Sequence, residues 1–228
     1  IRDYKVTGVQ TCALPILKIV FCLPGKEYSR EFLMSWTELM MQATSKGHQC
    51  MVSQNYSSVV HFARAKCLGG DVTAGPDQKP FQGKVDYDAI MWIDSDIVFK
   101  PEDFFSLLES PHDVTAGMYM MEDMKNYAIV KEWDEEYFKK NGTFEFVKAE
   151  DMAKATNRYT KVAYSGMGWM LMRKGVLEEV KYPWFYGDLQ KIGVMQDMMA
   201  EDVALCRKLN EIYVDTTIRV GHQKKVIL

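Results

Sequence analysis

The sequence predicts an α/β protein, a single domain with a central, mostly parallel, doubly wound sheet flanked by helices. Three observations carry this. Residues 17–23 (LKIVFCL) and 87–93 (YDAIMWI) are continuous apolar runs of strand length, the pattern of strands buried on both faces. The stretches between such runs carry apolar residues at helical spacing. Up to residue 120 the elements alternate strand, helix, strand, helix, strand, helix, strand, the order that builds crossover units. A length of 228 residues suits one domain.

The elements follow in order. After the strand at 17–23, Pro24-Gly25 breaks the chain. Residues 29–45 read as a helix capped by Ser29, with Phe32, Leu33, Trp36, Leu39, Met40 and Ala43 along one face. Residues 49–53 form a second strand and 58–68 a second helix. Residues 69–83, rich in Gly, Pro and Asp, form a loop. The strand at 87–93 precedes a short helix at 101–109 with proline in its first turn, and a strand at 114–120 closes this half. Beyond it, 128–131, 143–148, 159–164 and 169–173 read as short strands, 174–180 as a helix, and 184–200 as an aromatic, Met-rich loop. A helix at 201–210 and a strand region at 212–220 end the pattern.

Composition removes several function classes. Hydrophobic residues make up 47% and charged residues 26%, ordinary for a globular chain. The formal net charge of -3 argues against general nucleic-acid binding. Five scattered cysteines, without CxxC or zinc-type spacing, read as free thiols of a reducing compartment. Sixteen methionines read as flexible core filling. No apolar run is long enough to span a bilayer. The expectation is a cytoplasmic protein, with peripheral attachment to a membrane left open. Residues 1–16 (IRDYKVTGVQTCALPI) lack the basic and apolar regions of a signal peptide. They resemble a translated sequencing adapter of the kind found in environmental assemblies, and are read as a non-native leader. The domain is then 17–228.

The chemistry concentrates in Asp94-Ser95-Asp96, two carboxylates at the end of a buried strand. In open α/β sheets ligands bind at the carboxyl ends of strands. Residues i and i+2 of an extended segment share a side, so both carboxylates can face one ion. Hard oxygen ligands suit Mg2+ or Mn2+, ions that also bind substrate phosphates. A solvated turn at a strand end is the competing reading.

The segment YDAIMWIDSDIVFKPEDFFSLL resembles the DxD region of GT-A glycosyltransferases, of the family-2-like nucleotide-sugar transferases. LKIVFCLPG is similar to that family's first strand and nucleotide-facing loop. Ala163-Tyr164-Ser165-Gly166-Met167-Gly168-Trp169 resembles its acceptor-side glycine segment. Ala200-Glu201-Asp202-Val203 is similar to its late "ED" motif, and Gly221-His222 follows the last strand where many members place a third metal ligand. The resemblance implies a Rossmann-like GT-A domain with a nucleotide-binding half (17–120) and an acceptor half (121–228). It implies a hexosyltransferase-like enzyme that uses Mn2+ or Mg2+ and a nucleotide-sugar donor, UDP-linked ahead of GDP-linked. The acceptor would be a glycan, a lipid-linked sugar or a protein.

On the same ground Pro24, Arg64, Trp92, Asp94, Ser95 and Asp96 would form the donor site, and Asp94, Asp96 and His222 would hold the metal. Gly166, Gly168, Trp169 and Glu201 would contact substrate. Asp202 would be the base that takes the acceptor hydroxyl's proton in an inverting enzyme. Each residue has a plainer reading too. Glu201 and Asp202 complement a helix dipole, His222 is structural, Gly166 and Gly168 make a turn, Trp169 belongs to the core, and Arg64 is a solvated helix arginine. Trp133, Asp134 and Glu135 either line an acceptor cleft or form an exposed face. His48, His61 and His112 are read as structural.

Two features depart from the family pattern. No glycine turn follows the 201–210 helix, so Asn210 must end it, and few residues follow His222. Two other functions compete. A sugar nucleotidyltransferase would carry a glycine-rich, basic loop after the first strand, whereas Leu23-Pro24-Gly25-Lys26-Glu27 has one glycine. A non-catalytic nucleotide- or sugar-binding module would not need Asp94, Asp96 and Asp202 together.

Overall fold

The computed structural model describes residues 16–152 and 154–224. The leader reading, except for Ile16, lies outside the described residues. Within them, β1 (Lys18–Pro24) leads to α1 (Arg30–Ser45), β2 (Gln49–Asn55) and α2 (Val60–Cys67). Next come β3 (Ala89–Ile93), the two-residue β4 (Ile97–Val98), α3 (Pro101–Leu108) and β5 (Val114–Met118). The second half runs through β6 (Asn126–Val130), α4 (Glu135–Asn141), β7 (Phe146–Lys148), α5 (Ala149–Met152), β8 (Tyr159–Val162), β9 (Tyr164–Ser165) and β10 (Trp169–Arg173). It closes with β11 (Asp188–Ile192), β12 (Met195–Met199), α6 (Glu201–Cys206), β13 (Ile212–Arg219) and β14 (Gly221–His222).

The central sheet has seven strands in the order β2-β1-β3-β10-β5-β13-β8. β2, β1, β3, β5 and β13 run one way, while β10 and β8 run against them. The sheet is therefore mixed, mostly parallel, rather than wholly parallel. β10 from the second half is inserted between β3 and β5 of the first, so the two halves share one sheet and one core.

Side-chain alternation explains the apolar runs. Val20, Cys22, Ile90, Trp92, Met170 and Met172 face one side, with Cys67 of α2. Ile19, Phe21, Leu23, Met91, Ile93 and Leu171 face the other, with Phe32 and Leu39 of α1 and Phe104 and Leu107 of α3. Helices cover both faces, so each central strand is apolar on both sides. The Ser29 cap is present: its Oγ accepts the Phe32 N–H at 3.0 Å. Pro101 opens α3, where its missing N–H costs nothing.

Several expected elements differ. Residues 174–180 form turns, not a helix. Gly175 has φ +105°, outside the helical region, and its N–H is taken by the Glu178 carboxylate at 2.9 Å. The expected loop at 184–200 contains the hairpin β11–β12, joined at Gly193-Val194 with Gly193 at φ +61°. β11 buries Gln190 and Ile192 while Leu189 is exposed, and β12 is mostly exposed, so burial alternates without an alternating apolar signal. The acidic segment after Trp133 is α4, capped by Asp134 through the Tyr137 N–H at 2.9 Å and stopped by Gly142 in the left-handed region. The late helix ends at Cys206, four residues before Asn210, so Asn210 is not its cap.

Candidate functional site

β3 ends at Ile93, and the chain turns through Asp94-Ser95-Asp96 into β4. The turn is tied to its surroundings by backbone bonds. Asp94 N–H donates to Gly168 O at 3.0 Å, Ile97 N–H to Asp94 O at 3.1 Å, and Gln223 N–H to Asp96 O at 2.7 Å. β4 pairs antiparallel with β14, setting His222 opposite Ile97. The loop after β1 lies directly against the turn. A Cβ on Gly25 would stand 2.6 Å from Ser95 Cβ, so only glycine lets the two loops meet. Gly25, directly after Pro24, and Ser95 are thus neighbours at the carboxyl edge of the sheet.

The two carboxylates have different partners. Asp94 Oδ2 accepts from Arg64 Nη2 at 3.0 Å, and Arg64 Nε reaches Glu201 Oε1 at 3.2 Å. Arg64 is 3% exposed, so it is not a solvated helix arginine. Burial alone would lower its pKa; Asp94, Glu201 and Asp202 outweigh that and raise it. Burial raises the pKa of Glu201, helped by Asp202 and opposed by Arg64. Arg64 Nη1 and Asp94 Oδ1 are buried without a protein partner.

Asp96 faces the other way. Its Oδ2 lies 3.1 Å from His222 Nε2 and 3.0 Å from Lys224 Nζ. Burial would raise the Asp96 pKa, but His222 and Lys224 bring it down to about 2. His222 Nδ1 lies 2.8 Å from the Met120 carbonyl. A carbonyl only accepts, so Nδ1 carries a proton and Nε2 is left facing Asp96. The hydrogen bond to Asp96 raises the His222 pKa.

Asp202, at the start of α6, is half-buried. Its Oδ2 accepts the Tyr164 phenol at 2.8 Å. Burial, then Asp202, holds the Tyr164 pKa well above its ordinary value, so the phenol stays a donor. Arg64 joins the Asp94 carboxylate to Glu201, so α2, the β3 turn and α6 meet around one guanidinium.

The remaining candidates are placed as follows. Trp92 and Trp169 are both 0% exposed, and Trp169 packs with its ring centroid 4.5 Å from that of Phe99. Both rings lie in the core; Trp92 reaches the site only beneath the Arg64 guanidinium, 5.7 Å from its ring centre. Gly166 and Gly168 are not at positive φ. They make room for Tyr119: a Cβ would come 2.0 Å from Tyr119 Oη at Gly166 and 3.1 Å from its ring at Gly168. The close approach there is by a buried tyrosine of the same chain. Tyr119 Oη accepts the Gly168 N–H at 3.2 Å and stacks edge-on with His222 at 5.0 Å. Tyr119 and Tyr164 were not singled out by sequence reasoning. The close Gly-x-Gly spacing beside a strand is the one local signal for the first, and nothing local marks the second.

Among the described residues no group of three His, Cys, Asp or Glu converges as a ready metal centre. Two donors for a divalent ion lie side by side, the Asp96 carboxylate and the outward nitrogen of His222, 3.1 Å apart with the other ring nitrogen anchored; an ion there would displace Lys224 Nζ, 3.0 Å from the same Asp96 oxygen. A cavity of about 740 Å3 lies elsewhere. It is lined by His112, Lys174 and Tyr213 at the opposite end of the sheet and contains none of these side chains. The chemistry of the residues makes the carboxyl edge the candidate site.

No protein-family model matches this chain, and no curated protein matches it. The fold has a solved likeness. The crystal structure of A197 from STIV superposes with a TM-score of 0.56 at 16% identity, over 91% of this chain and 86% of that one. At that identity the likeness shows the fold alone. The inositol-1-phosphate CTP transferase from T. maritima aligns over 87% of each chain at 11% identity, but its TM-score of 0.37 is too low to carry an argument. No helix of the described residues is long and apolar enough to cross a membrane.

Proposed function

We propose that the chain is a metal-dependent glycosyltransferase that moves a sugar from a nucleotide-diphosphate donor to an acceptor hydroxyl. One observation supports this above the rest. The Asp94-Ser95-Asp96 turn ends a central parallel strand beside the β1 loop, and Arg64 joins it to the helix that bears Asp202. Asp94 and the helix of a candidate base are thus connected, with Asp96 on the other side of the same turn.

In this reading Asp96 and His222 would hold the divalent ion, while Asp94 is held by Arg64. When bound, the ion neutralises the charge that develops on the diphosphate leaving group. The chain supplies the rest. Gly25 keeps the first loop close enough to Ser95 for the nucleotide to lie across both. Arg64 fixes Asp94 and Glu201. Tyr164 donates to Asp202 and holds its carboxylate in place, and the remaining lone pairs of Asp202 accept the proton of the attacking acceptor hydroxyl.

Calorimetric titration of UDP and GDP, each with and without Mn2+, tests the reading on the wild type and on Asp96→Ala. Metal-dependent binding of one nucleotide, abolished in the folded variant, is expected. Absence of binding by either nucleotide would remove the transferase reading.

A further inference from the structure

A small pocket opens beside the candidate base. It has a volume of about 160 Å3 and is lined by residues 200 and 203, which flank Asp202 closely, and by Tyr164, which hydrogen-bonds it. One wall is aromatic: Trp133, Phe138, Phe144 and Phe146 from the insertion around α4, with Tyr164 of β9. These rings brace one another, with Trp133 and Phe144 centroids 4.9 Å apart at 67° and Phe138 and Phe144 4.9 Å apart at 47°. The hairpin β11–β12 also lines it with Met198, Met199, the exposed Asp197 and Gln190, whose Oε1 accepts from Arg207 Nη2 at 2.7 Å and whose amide nitrogen remains a donor.

We propose that this pocket is the acceptor subsite and that the acceptor is a carbohydrate, held with one pyranose ring against the aromatic wall. The proposal rests on the transferase reading above and names the acceptor that reading leaves open. Three features favour a sugar ring. Aromatic faces carry negative charge and attract the weakly positive C–H bonds that a pyranose presents on one side. The Asp197 carboxylate and the Gln190 amide nitrogen line the same pocket, where they can meet the hydroxyls around the ring edge. A volume of about 160 Å3 lies below the ~300 Å3 at which pockets for drug-sized ligands begin, so one ring fits and a long prenyl chain does not. Trp133 is firmly placed for this role: Arg207 lies 4.8 Å from its ring centre on helix α6's trailing edge, and Phe144 packs against it.

The test uses the full chain and saturation-transfer NMR with four probes: the methyl glycosides of glucose, galactose, mannose and N-acetylglucosamine. Geranyl phosphate and a serine-containing peptide serve as lipid-like and protein-like comparisons. Saturation of the ring C–H protons of at least one methyl glycoside is expected. The signal should be lost in Trp133→Ala and weakened several-fold in Asp197→Asn, whose exposed side chain can change without unfolding the protein. If Trp133→Ala does not fold by circular dichroism, Asp197→Asn decides. The proposal is overturned if no glycoside is saturated, if the signal is unchanged in the folded variants, or if only the prenyl or peptide probe binds. The nucleotide titration separates the two readings. Nucleotide binding without glycoside binding removes this proposal alone. Glycoside binding in the pocket without nucleotide binding removes the transferase and leaves a sugar-binding pocket.

Discussion

Replacing Arg64 with methionine tests whether one buried guanidinium organises the site. Arg64 is 3% exposed and makes two contacts, at 3.0 Å to Asp94 and 3.2 Å to Glu201. Methionine keeps most of the length and bulk but leaves Glu201 buried without its counter-charge. Breaking a buried pair from one side costs about 3–5 kcal/mol, because the stranded charge is not resolvated. With a urea slope near ~3 kcal/mol per molar, the unfolding midpoint should fall by roughly 1 M or more. The cost must depend on pH in a particular direction. Glu201 already has a raised folded-state pKa from burial, and losing Arg64 raises it further. A carboxyl whose folded pKa lies above its unfolded value destabilises the fold as pH rises past the unfolded value, about 4.3. The deficit of Arg64→Met should therefore be large at neutral pH and shrink toward pH 4. Adding Glu201→Gln should recover part of it, because the stranded charge is gone. Urea unfolding followed by tryptophan fluorescence at both pH values measures all of this. A loss under about 1 kcal/mol at neutral pH, the range of an exposed ion pair, would refute the view that Arg64 is the buried link between Asp94 and Glu201.

Asp202→Asn should lower transfer about 10²–10⁴-fold while nucleotide affinity stays unchanged, as removal of a general base does; a matching loss of nucleotide binding in calorimetry would place the residue in the donor site instead. His222→Ala should weaken Mn2+-dependent nucleotide binding by tenfold or more and leave binding without metal unaltered. Gly166→Ala brings a methyl within 2.0 Å of Tyr119 Oη and should cost about 1–3 kcal/mol by thermal unfolding, with Gly168→Ala milder because its nearest approach is 3.1 Å. His48 accepts the Leu17 N–H at 3.2 Å, and burial lowers its pKa. A depressed histidine stabilises the fold above its unfolded pKa of about 6.5 and loses that stabilisation as pH falls through the folded value; urea midpoints from pH 7.5 down to 5 should fall more steeply in the wild type than in His48→Gln.

The first half of the fold was legible because its signals are local. β1 and β3 are apolar on both sides, and a run such as Ala89–Ile93 has few other places to go. Ser29 and Pro101 mark helix starts by chemistry that does not depend on the rest of the chain. The second half was less legible because its elements are defined by partners far away in sequence. β10 reads as any apolar strand, and its reversed direction follows from being inserted between β3 and β5. β11 buries Gln190 and Ile192 and leaves Leu189 exposed, and β12 buries nothing fully, so the hydrophobic pattern does not follow the burial. The turns after β10 replace an expected helix because Gly175 leaves the helical region and Glu178 takes its N–H.

The site divides along the same line. Asp94, Asp96, Glu201, Asp202 and His222 can be picked out because acidic and imidazole groups at strand ends and helix starts are few. What they do depends on pairings that no window of sequence contains. A reader of the strand alone expects Asp94 and Asp96 to share one ion, since alternate residues of an extended segment face the same side. The turn between them is not extended: the Ile97 N–H folds back onto the Asp94 carbonyl at 3.1 Å. That bond separates the two carboxylates, giving Asp94 to Arg64 and Asp96 to His222. Two glycines that read as substrate contacts similarly prove to be the space occupied by Tyr119, a side chain 47 and 49 positions away (166 − 119 and 168 − 119). The consequence is a site with two separable parts, a cation point at Asp96 and His222 and a buried link through Arg64 to the helix of the candidate base. Variants of His222 should therefore change metal dependence without lowering stability as Arg64→Met does, and variants of Arg64 should lower stability whether or not metal is added.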